Sequence, residues 1–207
     1  MRPLERAYLR VLLDEGYAAR LRDPAFAEGE GLAHGEAAML TALPGVTLEV
    51  ERRARKQQLW KRAASELPLT LGRMTARLEH DLAERVGERI FGEHLWHPER
   101  TIARPPFGQG HEVATHVKNA LAEIAAETPA PELVVLVGIA TLEHGAFTCR
   151  LTRPPGDERA FLRLTSAYDL VAAAEQPGEP AERFALAAPA TWQVTTRGRV
   201  SVVEDGG

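Results

Sequence analysis

The chain has 207 residues, 44% of them hydrophobic and 26% charged, with a formal net charge of −4. A chain of this size and composition can bury a core unaided, which excludes disorder over its whole length. The acidic balance argues against general nucleic-acid binding, and a lone cysteine, Cys149, excludes an intrachain disulfide and a thiolate metal cluster.

Leu4, Tyr8, Val11 and Leu12 share one stripe and predict a helix from Leu4 to Leu13. Asp23 before Pro24 supplies an N-cap and a favoured first helical residue, so a short helical turn follows, broken by Gly29 and Gly31. Ala37, Leu40 and Leu43 mark the next helix, which Pro44-Gly45 ends. Another helix is expected from near Thr47, with Glu49 and Glu51 favouring its N-terminus. Arg52, Arg53, Arg55 and Lys56 make its first half polar on most sides, so that half projects beyond the core. Its second half carries a core stripe of Leu59, Trp60, Ala63, Ala64 and Leu67.

Pro68 opens a helix whose buried face is Leu71, Met74, Leu78, Leu82, Val86 and Ile90. His97 to Gly110 is rich in proline and glycine and is expected to be a loop. Val113, Val117, Leu121 and Ile124 give a short amphipathic helix. The run Glu132 to Leu151 is rich in β-branched residues, which suggests a strand. Its length and its stripe (Leu133, Leu136, Val137, Ala140, His144, Phe147, Leu151) favour a helix. Val135, Ile139 and Leu142 on its other side predict that this helix is central and buried.

The period changes after Pro154-Pro155-Gly156. Phe161 to Thr165 and Phe184 to Ala188 alternate as strands do, and Gln176 to Pro180 separates them as a loop. Trp192, Val194, Val200 and Val202 alternate around Arg197-Gly198, which predicts a hairpin. A two-residue turn suits Gly198, whereas placing Val194 and Val202 opposite each other on one face needs an odd-length loop, so the register stays open. The expectation is an α+β chain, with a mostly helical domain over 1–153 and a small β-rich domain over 157–207. No apolar leader is visible at the N-terminus, and the run Leu133 to Ala140 is too short to span a bilayer. A cytoplasmic protein with no membrane partner is therefore expected.

Reactive chemistry has little support. There is no G-x-G-x-x-G, no P-loop and no G-x-S-x-G. His94 and His97 are spaced for one helix face, but Pro98 follows at once and no carboxylate-rich motif accompanies them. His111 and His116 are five apart, about 140° around a helix, so they do not form a zinc-protease pair. His80 stands alone. His144, beside Glu143 on the buried stripe, is a candidate base or ligand, although a satisfied core or interface histidine has the same pattern. The six basic residues Arg52, Arg53, Arg55, Lys56, Lys61 and Arg62 could meet phosphates or an acidic peptide. They also suit a solvated face balanced by Glu49, Glu51 and Glu66. The C-terminal sheet offers another mechanism, since a free edge can accept an added strand. Trp192, Val194, Val200 and Val202 are the residues for peptide binding there, unless they only pack the sheet onto the helices.

Leu12-Leu13-Asp14, Asp23-Pro24-Ala25-Phe26, Gly31-Leu32, Glu36-Ala37-Ala38-Met39-Leu40, Lys61-Arg62, Leu67-Pro68-Leu69-Thr70 and Pro131-Glu132-Leu133 through Ala140-Thr141-Leu142-Glu143 form a further pattern. It resembles that of partner proteins accompanying multinuclear non-heme iron oxidases, which modify ribosomally made precursor peptides, as in the methanobactin system. The first forty residues are also similar to the small helical subunit of ring-opening extradiol dioxygenases. Both resemblances imply a chain that supports an iron enzyme without holding the iron, so no metal, cofactor or catalytic residue is expected here. The implied partners are an iron-dependent oxidase subunit and a precursor peptide leader. Arg52, Arg55, Lys56, Glu143 and His144 are the expected partner-interface residues. The alternative from the residues alone is a DNA-binding regulator using the basic helix over 52–62.

Overall fold

The computed structural model describes residues 2–13, 15–80, 82, 84–87, 89, 112–152 and 159–203. The fold is α+β, as expected: helices dominate, and a three-stranded antiparallel sheet lies towards the C-terminus. The chain forms two compact units, and their boundary falls inside one helix, between Trp60 and Lys61.

The first unit contains α1 (Pro3–Leu13), α2 (Glu15–Arg20), α3 (Pro24–Gly29), α4 (His34–Thr41) and the first part of α5 (Gly45–Glu66). Its core is Ala7, Val11, Tyr17, Leu21, Ala27, Leu32, Ala37 and Leu40, so the apolar stripes of α1 and α4 meet as their spacing predicts. Asp23 caps α3 by accepting the Ala25 N–H at 3.0 Å. Glu36 reaches back to the Ala33 N–H at 2.9 Å and so secures the start of α4. Pro44 does more than end α4. Its carbonyl accepts from Thr47 and Leu48, and α5 starts at Gly45, two residues before the expected Thr47.

The second unit holds the end of α5, α6 (Pro68–Arg77), α7 (Glu112–Glu127), α8 (Pro131–Thr152), β1 (Ala160–Tyr168), α9 (Leu170–Glu175), a 3-10 turn (Ala181–Phe184), β2 (Ala185–Thr195) and β3 (Val200–Val202). α8 is central and touches α6, α7, α9, β1 and β2. Its length and apolarity would suffice to cross a membrane, but most of that window is buried inside the unit, as in a core helix. Gly138 and Gly145, two turns apart, allow the close packing: a Cβ on Gly138 would stand 2.7 Å from Leu170 Cδ2, and one on Gly145 would stand 3.0 Å from Leu162 Cδ2.

Three expectations need correction. The helix opened by Pro68 does not run unbroken to Ile90. Leu78 turns to extended backbone (φ −78°, ψ 135°), and helical backbone resumes at His80. The apolar spacing crosses this break because Met74 before it and Val86 after it are both buried in the unit's core. The strand expected from Phe184 to Ala188 starts one residue later, since Phe184 ends the 3-10 turn, and residues 185–188 and Trp192-Val194 belong to one eleven-residue strand, β2, which passes through Pro189. Leu186 to Pro189 stand opposite the single residue Ala167 of β1, and this bulge accommodates a residue that lacks an N–H. Finally, α9 was not foreseen. Asp169 starts it by accepting the Ala172 N–H at 3.0 Å.

The hairpin takes the odd-length loop. Val194 pairs with Val200 and not with Val202, which stands opposite Trp192. Thr195 N–H donates to Arg199 and Gly198 N–H to Thr195, leaving a three-residue tip. Gly198 has φ +74°, and a Cβ there would lie 3.0 Å from the Ala146 carbonyl, so glycine answers both conformation and space. The change of period near Pro154 does not coincide with the unit boundary, because Trp192 and Val194 share one core with Val135, Ile139 and Leu142 of α8.

Candidate functional site

The four residues expected to bind peptide come together on one face of the hairpin, but in two different environments. Trp192 is 5% exposed and Val194 0%, both packed in the α8 core. Val200 is 37% and Val202 44% exposed. Cross-strand partners share a face, so the two valines extend the buried Trp192–Val194 row outward to the rim of the sheet. The indole Nε1 of Trp192 is enclosed without a hydrogen-bond partner among the described residues.

Among the described residues, strand order β1-β2-β3 leaves β3 at an edge. Thr195 N–H bonds Arg199, Val203 N–H bonds Thr191 at 2.7 Å, and Ser201 pairs with Gln193, so residues 199, 201 and 203 turn their main chains to β2. Alternation then aims the main-chain groups of Val200 and Val202 away from β2. Two donors and two acceptors with an apolar flank make a short template for strand addition. The opposite face is polar: register aligns Arg163, Gln193 and Ser201 across the three strands, and Gln193 Nε2 donates to Ser201 Oγ at 3.3 Å.

Of the residues expected at a partner interface, Glu143 and His144 lie in the second unit. Glu143 is turned inward. Its carboxylate accepts from Leu69 N–H (2.9 Å), Thr70 N–H (2.9 Å) and Thr70 Oγ1 (2.8 Å). These are the first turn of α6, whose N-cap position holds Leu67, a residue without a capping oxygen. Burial raises the Glu143 pKa above the ordinary carboxylate value of 4.5, and the three hydrogen bonds pull it back down. His144 is half-buried, with Nε2 2.9 Å from Thr115 Oγ1. Arg52 lies in the first unit, where its Nε donates to the Leu12 carbonyl near the end of α1 and Nη1 lies 3.7 Å from Glu49. For Arg55 and Lys56, the helical main chain alone is described.

The other sequence candidates are quickly placed. His80 is exposed. His94, His97 and His111 lie outside the described residues. Cys149 is buried, and burial raises its thiol pKa, as in an unreactive structural cysteine. Arg62 is ion-paired with buried Glu66, whose other oxygen accepts the Ala114 N–H at 2.9 Å in the first turn of α7. Among the described residues, no group of three or more His, Cys, Asp or Glu could hold a metal ion.

Two features escaped sequence reasoning. Arg73 is fully buried on α6. Its Nε lies 2.6 Å from Glu132 Oε1, off the hydrogen-bond direction, and its Nη atoms donate to the carbonyls of Ala173 (2.8 Å) and Glu179 (3.0 Å). The guanidinium also lies over Phe184, 5.3 Å from the ring centroid. Its position on a mostly apolar face of α6 was the available signal. In the first unit, a cleft of about 540 Å³ has Leu21, Ala27, Leu32 and Ala37 on its floor and Arg22, Glu28 and His34 exposed at its rim. No family model, curated protein or solved structure matches this chain.

Proposed function

We propose that the chain is a non-catalytic, cytoplasmic partner subunit. In this reading it docks on an iron-dependent oxidase and presents a precursor peptide whose leader adds as a strand beside β3. The observation that carries the peptide half is the outward main chain of Val200 and Val202 beside two half-exposed valines. The oxidase half rests on the sequence resemblance. Val46 and Val50, one turn apart on α5 and both strongly exposed, support a docking role for this helix, as does the exposed Arg53 beside them. Holding enzyme and peptide on one scaffold raises their effective concentration without any reactive group in this chain. The test is co-purification of the tagged chain with the oxidase encoded beside it, with and without the peptide. Retention of both and loss of modification when the chain is omitted are expected. Normal modification without the chain would reject the reading. The DNA-binding alternative is weaker, because Arg52 and Arg62 of the basic run are committed within the protein. It predicts a gel shift that fades steeply with salt.

A further inference from the structure

We draw no further inference here: the strongest candidate, the cleft between α3 and α4 in the first unit, carries none, because Arg22, Glu28 and His34 mix both signs of charge at its exposed rim and nothing in the structure shows what covers its apolar floor.

Discussion

Two buried carboxylates in the second unit do the same work from different elements. Glu143 of α8 satisfies the first turn of α6, and Glu66 of α5 satisfies that of α7. A carboxylate at a helix N-terminus meets free N–H groups and the positive end of the dipole, which offsets part of its desolvation. Glu143→Ala leaves two amides and a hydroxyl unpaired, so it should cost about 2–3 kcal/mol in urea denaturation near neutral pH. The raised pKa fixes a sign. Below 4.5 the group is protonated in folded and unfolded chains alike. As pH rises from there through the raised folded value, the unfolded chain ionises first and the stability contributed by this titration is lost. The stability gap between wild type and Glu143→Ala should therefore widen on acidification, which matched urea titrations across pH will check. Arg73 is the cationic counterpart. Arg73→Met should cost about 3–5 kcal/mol, because Glu132 would keep a partly buried charge without its main partner. Arg73→Lys should recover little, since one ammonium cannot serve a carboxylate and two carbonyls in the directions a guanidinium does.

At the scale of elements, α8 is shaped by what it lacks. Gly138→Ala would gain roughly 1 kcal/mol of helix propensity. The new methyl would meet both Cδ atoms of Leu170, which is buried and has nowhere to go. A net loss of about 1–2 kcal/mol is expected, seen as a lower Tm, and Leu170→Val should recover part of it. Gly145→Ala should be nearly neutral, since its neighbour Leu162 is half-buried and can yield. The hairpin is fastened to the same helix by Gly198, which seats the tip against the Ala146 carbonyl. The edge that would receive a peptide is thus held by a rigid helix and not by a loop, as a site that must keep its register requires.

At the scale of the whole molecule, each unit has its own core, and the two should answer separately to damage. Hydrogen exchange followed by mass spectrometry should find the slowest amides in α8, the most enclosed helix of the second unit. Leu40→Ala should accelerate exchange across α1 to α4 and leave α8 unchanged. Equal acceleration in α8 would show that the two cores open as one.

Much of the helical order was legible without coordinates. The stripes of Leu4 to Leu12 and Leu133 to Leu151, and the Asp23-Pro24 cap, depend on neighbours within one helical turn. Such periodicity survives whatever packs against it. The alternation of Trp192, Val194, Val200 and Val202 likewise announced a hairpin. Its loop length, the burial of the first two residues and the exposure of the last two were decided by α8, whose Gly145 and Ala146 set where the sheet can sit. The inward turn of Glu143, the burial of Arg73 and the break at Leu78 belong to that second class. Each answers a group more than fifty residues away or a packing surface from another element, and local spacing carries no record of either.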